Sequence, residues 1–130
     1  MPEPQSTRPL IEHVSDLPAY SPPAHSGTLN RRLLSREFGA GFEMILGQVE
    51  PGGEAFPHYH RDESQVVYVL KGEALIRLGE EEPRRCGPGW VIRIPPGLVH
   101  DVRVASNEAL EVIVLYAPPL GAEGFFEVAR

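Results

Sequence analysis

Two short segments of the sequence carry histidines in a pattern that suits metal binding. The first is His58-Tyr59-His60 with Gln65 after it, and the second ends at His100. Successive side chains of a β-strand point to opposite faces, so His58 and His60 project to the same side and can hold one ion. A pair of this kind is weak evidence by itself, because imidazole is tolerated at half-buried strand positions. The residues that frame both segments therefore decide how the histidines are interpreted.

Glycines and prolines frame both segments at regular spacings. The first block consists of Gly52, His58, His60, Gln65 and Gly72, and the second consists of Gly89, Pro95, Gly97 and His100. In order and spacing, these blocks resemble the paired motifs of the cupin superfamily over about residues 52–100. The resemblance implies an all-β fold, the cupin-type double-stranded β-helix or jelly-roll barrel. It also implies that both motifs converge on one metal ion.

The resemblance implies four metal ligands, which are His58, His60, Gln65 and His100. Gln65 stands where the family usually has glutamate, and a neutral amide leaves the charge of a divalent ion uncompensated. Such an ion is a stronger Lewis acid and prefers an anionic substrate. In the alternative interpretation, Gln65 only forms a hydrogen bond nearby and the site has three histidine ligands.

Three further positions near the motifs bear on this interpretation. Asp62 and Glu63 are rival oxygen ligands, but we expect them to lie in a solvated turn. The second motif normally ends in asparagine, and Val104 stands at that position. We expect this departure to affect a packing or surface contact rather than the metal.

Length and charge exclude several classes of protein. With 130 residues, the chain predicts a single domain. The chain has a formal charge of −6, and none of its Lys/Arg clusters is longer than a pair. We therefore expect no surface that binds nucleic acid. No stretch approaches the ~20 apolar residues of a membrane span, and no signal peptide is evident, so we expect a cytoplasmic protein without membrane contact. Cys86 is the single cysteine, which agrees with a reducing compartment.

Turn residues recur at short intervals and separate runs rich in β-branched and aromatic residues. These runs predict strands over 42–49, 65–70, 74–78, 90–94, 98–104 and 110–116. Before them, the proline-rich residues 1–28 predict an extended N-terminal arm, and residues 29–130 predict the barrel with a C-terminal tail. His25 at the end of this arm can reach a pocket, although a loop histidine is more often a surface residue.

Strand alternation predicts which side chains face the barrel interior. If Gln65 points inward, Val67 and Val69 do so too, and Tyr68 lies on the face opposite the metal. That opposite face is also apolar, with Val66 and Leu70 beside Tyr68, so a second layer must cover it. Either a second protomer or the N-terminal arm can provide this layer, and we predict a homodimer.

Three functions remain open at this point. The first is an enzyme whose divalent ion acts as a Lewis acid on a small anionic substrate, such as a sugar acid or another carboxylate, in an isomerase or lyase reaction. Some small cupins that linearise unsaturated uronates resemble this chain in size and in having glutamine at this position. The second function is an Fe(II)-dependent dioxygenase, and the third is a non-enzymatic cupin that binds a small ligand. The ligand set suits Zn, Ni, Fe, Co or Mn, and the sequence identifies no general acid or base.

Overall fold

Short β-strands make up most of the chain. A computed structural model describes residues 10–121 and 124–129. Within these ranges, the strands are β1 (Ala19–Tyr20), β2 (His25–Leu34), β3 (Glu43–Tyr59), β4 (Ser64–Lys71), β5 (Ala74–Leu78), β6 (Arg84–Cys86), β7 (Val91–Ile94), β8 (His100–Val104), β9 (Leu110–Ala117) and β10 (Phe126–Glu127). The 3-10 helices Val14–Asp16 and Arg36–Phe38 lie before and after β2. The all-β prediction is confirmed.

The long strand β3 joins the two halves of the sheet. The sequence predicts a turn at Gly52 and Gly53, but the strand continues through both residues. Gly52 has a left-handed backbone conformation, with a φ of 86°. The pairing of β3 with β2 shifts register at this point, so the extra residues form a bulge that bends the strand without ending it. Because of the bend, β3 pairs with β9 through residues 43–49 and with β8 through residues 54–58. The sheet curls around this strand in the order β6-β5-β8-β3-β9-β4-β7.

Strand β2 is absent from the sequence prediction. Its segment Asn30-Arg31-Arg32 breaks the alternation of apolar and polar residues that marks a half-buried strand. It begins at His25, inside the segment predicted as an arm, and it pairs with both β1 and β3. The described part of the arm therefore lies along the edge of the sheet.

The interior follows the alternation predicted for β4. Gln65, Val67 and Val69 are buried, whereas Tyr68 and Leu70 on the other face are each 41% exposed. The inward side chains of β4 belong to an apolar core with residues of the neighbouring strands, including Ile76, Ile92, Ile94, Val104, Leu110 and Val112. The position that departs from the second motif, Val104, thus serves in core packing.

The outer face of β4 has no cover among the described residues. Tyr68 pairs with Val91 of β7 and with Ile113 of β9, and Trp90 beside Val91 is 45% exposed. The arm pairs with β2, which β3 and β9 separate from β4. The arm residues that the structure describes therefore do not form the second layer.

Candidate metal centre

Three histidines meet at one point in the interior. His58 lies near the end of β3, His60 directly follows this strand, and His100 begins β8. His58 and His100 are cross-strand partners, and their ring centroids lie 4.3 Å apart. One ring nitrogen of each histidine lies within 4.8 Å of the others. All three side chains are buried, and this group could hold a metal ion.

Backbone carbonyls fix the tautomer of each ring. Nδ1 of His58 lies 2.6 Å from the carbonyl oxygen of Phe56, and Nδ1 of His100 lies 2.9 Å from that of Leu98. Nδ1 of His60 lies 2.9 Å from the carbonyl oxygen of Gly124. A carbonyl oxygen can only accept a hydrogen bond, so each Nδ1 carries the proton and each Nε2 keeps a lone pair. This second hydrogen bond commonly orients metal-binding imidazoles.

Gln65 lies in the same interior layer. Its register partner across β9 is Tyr116, and its amide Nε2 donates a hydrogen bond of 3.3 Å to the Tyr116 hydroxyl. This bond assigns the amide nitrogen to Tyr116 and leaves the carbonyl oxygen Oε1 for another partner. Both residues are buried, so the orientation is shielded from water.

The residues present fit a metal ion. Within the described part of the chain, Nε2 of His60, Nε2 of His100 and Oε1 of Gln65 are buried and have no hydrogen-bond partner. A buried polar atom without a partner is costly, and native structures rarely keep such atoms together without a ligand. Imidazole nitrogen and amide oxygen are suitable donors for a divalent transition metal. These three lone pairs are therefore available as ligands to one ion.

Burial keeps the histidines neutral, which is the form that binds metal. Desolvation lowers the pKa of His58 to about 4, although the Phe56 carbonyl opposes this shift. Desolvation, together with repulsion from His58, lowers the pKa of His100 to about 3. Desolvation also lowers the pKa of His60, while the Gly124 carbonyl raises it.

A fourth histidine lies beside the group. The ring centroid of His25 is 6.0 Å from that of His58, and burial lowers its pKa to about 4. Its Nδ1 lies 3.1 Å from Oγ1 of Thr28, whose hydroxyl proton is donated to the Ser26 carbonyl. Nδ1 of His25 is therefore the donor, and Nε2 can accept a hydrogen bond from a molecule at the edge of the site.

Of the two rival oxygen ligands, Glu63 is half-buried and its charge raises the pKa of His60, so it lies closer to the histidines than a solvated turn predicts. Asp62 and the other polar side chains of the neighbouring strands are exposed or engaged elsewhere. Asp62 is exposed and pairs with Arg61, as expected for a solvated turn. Arg77 forms an ion pair of 3.2 Å with Asp101, and Arg93 is exposed. Cys86 is a buried free thiol in the apolar core.

Two parts of the site were not found from the sequence. Tyr116 ends an inward row that is otherwise aliphatic, Leu110, Val112 and Val114, and a lone hydroxyl on such a row was the available signal. The carbonyl of Gly124 left no signal. A Cβ at this position would lie 2.0 Å from the Leu120 side chain, so any residue other than glycine would require that side chain to move.

Comparisons with known proteins agree with this architecture. The family model of the cupin domain matches residues 45–116. The structure of the polyketide cyclase RemF from Streptomyces resistomycificus is similar, with a TM-score of 0.79 and 25% identity over 95% of this chain and 87% of that one. The structure of KdgF from Halomonas sp. has a TM-score of 0.65 and 26% identity, covering 72% of this chain and 82% of that one.

Among curated proteins, an uncharacterized protein of Methanocaldococcus jannaschii is 27% identical over 99 residues, which span 75% of this chain and 78% of that protein. The similar structures confirm the cupin-type fold, and they include enzymes. In the described residues, no helix is long and apolar enough to cross a membrane.

Proposed function

We propose that this chain, which belongs to the cupin family, is a metal-dependent enzyme that carries out non-redox chemistry on a small molecule. The reaction is of the isomerase or lyase type, and the substrate presents an anionic oxygen. The observation that carries the proposal is the set of three buried, unpartnered lone pairs on His60, His100 and Gln65. His58, held in the same tautomer, completes the ligand set.

The charge of the proposed ligands determines which substrate group they favour. Three neutral imidazoles and one neutral amide leave both charges of a divalent ion uncompensated. A divalent ion held there would supply Lewis acidity toward a substrate oxygen. The carboxylate of Asp101 is already paired with Arg77, and Glu63, whose charge raises the pKa of His60, lies outside the proposed ligand set, so an oxyanion of the substrate would supply the missing counter-charge.

The protein contributes orientation and exclusion of water. Backbone carbonyls hold the three rings in place, and Tyr116 holds the Gln65 amide. Phe125 packs against two of the rings, with centroids 5.0 Å from His60 and 5.5 Å from His58. The similar structure that is named as a polyketide cyclase supports an enzymatic role for this arrangement.

Metal analysis of protein purified without a histidine tag tests the proposal. We expect wild type to bind one equivalent of a divalent ion and the His58→Ala and His100→Ala variants to lose it on dialysis against a mild chelator. His13→Ala removes an exposed histidine outside the site and serves as the matched control. Full retention of metal by both site variants would refute the ligand assignment. Oxygen uptake by the iron-loaded protein in the presence of a panel of carboxylates would refute the non-redox reaction and would favour a dioxygenase.

We also propose that the chain forms a homodimer through the outer face of β4 and β7. Tyr68 and Leu70 of β4, Val91 of the adjacent strand β7 and Trp90 just before β7 are each more than 40% exposed. Since the described part of the arm does not cover them, a monomer would leave a continuous apolar face in water. A second copy brings the same apolar face and therefore matches it in character.

A further inference from the structure

A cavity of about 460 Å³ lies against Tyr116 and Phe125, and none of the three histidines is among its described lining residues. Its walls come from the arm at Tyr20 and Pro23, from β2, from the start of β3 and from the C-terminal segment near Leu120. Of its described lining residues, all but Ile45 and Tyr116 fall outside the region that matches the cupin domain. The cavity is therefore built mainly by segments that flank the part of the chain matched by the cupin domain.

Two side chains belong to both the cavity and the surroundings of the histidines. Tyr116 and Phe125 line the cavity, and their ring centroids lie 5.1 Å and 5.0 Å from that of His60. A molecule in the cavity thus lies against the same rings that pack on the histidines. The cavity volume is within the range of pockets that hold small organic ligands, about 300–1,000 Å³.

The charges in the cavity cancel each other. Arg32 is the single cation among the described lining residues, and its Nε lies 2.6 Å from Oε2 of Glu43, the single lining carboxylate. The Arg32 guanidinium also donates to the Tyr20 hydroxyl and lies over the Tyr20 ring, 4.5 Å from its centroid. A carboxylate of a ligand would have to compete with Glu43 for this cation.

The remaining walls are mainly apolar and aromatic. Pro22, Pro23, Ile45, Leu120 and Phe125 line the cavity together with the two tyrosine rings. Ile45 and Leu120 are buried and pack with Tyr116 in a small apolar cluster. Such walls favour a flat apolar body, because aromatic and apolar faces gain contact area there without an unpaired polar group.

We infer that this cavity holds the uncharged aromatic or cyclic apolar body of the substrate, whose one ionisable oxygen, a phenol or an enol, lies at the wall formed by Tyr116 and Phe125, the two lining residues whose rings contact His60. This inference deepens the proposed function, and only its statement about the oxygen rests on a bound metal. The inference disfavours sugar acids as substrates, because their many hydroxyl groups would find few hydrogen-bond partners in these mainly apolar walls. The body of the ligand is recognised by the cavity alone.

Calorimetry with 2-naphthol and galacturonate tests this inference on metal-free and metal-loaded protein. We expect 2-naphthol to bind in both states and to bind more tightly than galacturonate in each. The variant Ser21→Trp places a bulky ring at the exposed edge of the cavity and should weaken 2-naphthol binding about tenfold or more, with metal content unchanged. Asn107→Trp, in an exposed turn elsewhere, is the control and should bind like wild type. Tighter binding of galacturonate, or an unchanged affinity in Ser21→Trp, would overturn the inference.

A second variant examines the charge cancellation directly. Glu43→Gln keeps the shape of the side chain and frees the charge of Arg32, so the affinity ratio of 2-naphthoate to 2-naphthol should rise about tenfold. An unchanged ratio in a folded variant would show that the ion pair does not exclude carboxylates. Binding of 2-naphthol by a wild-type protein that takes up no metal would support the cavity inference and refute the proposed function, so the two failures are distinguishable.

Discussion

Replacing Tyr116 by phenylalanine removes one oxygen atom from the candidate site. The Tyr116 hydroxyl accepts the 3.3 Å hydrogen bond from Gln65 Nε2, and the two residues are 5% and 7% exposed. Without the hydroxyl, the amide nitrogen is buried and has lost this partner. Leaving a buried donor unsatisfied costs about 1–3 kcal/mol, so the free energy of unfolding of the metal-free protein should fall by that amount.

The same substitution should also weaken metal binding. The hydrogen bond fixes which end of the Gln65 amide is available to an ion, and loss of a partner that orients a ligand typically lowers metal affinity about 10–100-fold. Urea denaturation measures the first effect, and competition with a chromogenic chelator measures the second. Tyr59→Phe is the matched control, because the Tyr59 ring stacks on Phe126 at 5.2 Å, away from the Gln65 amide. A Tyr116→Phe protein equal to wild type in both stability and metal affinity would refute this account of Gln65.

Three further predictions address charge, assembly and pH. Gln65→Glu should keep or raise metal affinity but lower the affinity for malonate in calorimetry at fixed pH and ionic strength, and equal malonate affinity would contradict charge tuning. Tyr68→Asp should shift the light-scattering mass from dimer toward monomer, whereas Lys71→Asp at the end of the same strand should not, and a monomeric wild type would contradict the dimer. The folded-state pKa values of about 4 for His58 and about 3 for His100 lie below the ordinary value of 6.5, so the unfolded chain binds more protons. The stability of metal-free protein should therefore fall as pH decreases from 6.5 toward 4, and a flat urea midpoint over this window would contradict burial of the neutral rings.

Local patterns were sufficient to predict most of the sheet. The predicted strands over 65–70, 74–78, 90–94, 98–104 and 110–116 lie within two residues of the observed bounds. Alternation along β4 correctly assigned Gln65 to the interior and Tyr68 to the outer face. These predictions succeed because a strand with one buried face repeats every two residues, whatever its partners are.

The course of β3 required information that local patterns lack. Gly52 and Gly53 signal a reversal as readily as a bulge, and the choice depends on which strands pair on either side. Here β2, β8 and β9 all pair with β3, and the bend directs its second half, with His58, toward His100. The sequence prediction placed the histidines together because their spacing resembles that of a known family. In the structure, the bulge in β3 allows its second half to pair with β8 and so brings His58 next to His100.

The contacts that complete the site join distant parts of the chain. The Gly124 carbonyl that orients His60 lies 64 residues away in sequence, and the cavity walls join the N-terminal arm to the C-terminal segment. Neither segment has a regular pattern, because each is placed by contacts with the barrel rather than by its own periodicity. The two motifs therefore predict which residues could hold an ion, while the segments outside them supply the Gly124 carbonyl and most of the cavity walls. If these segments select the substrate, related barrels that have the same ligands but different N- and C-terminal segments should bind different molecules. Residues around the site, rather than the shared fold, would then determine specificity.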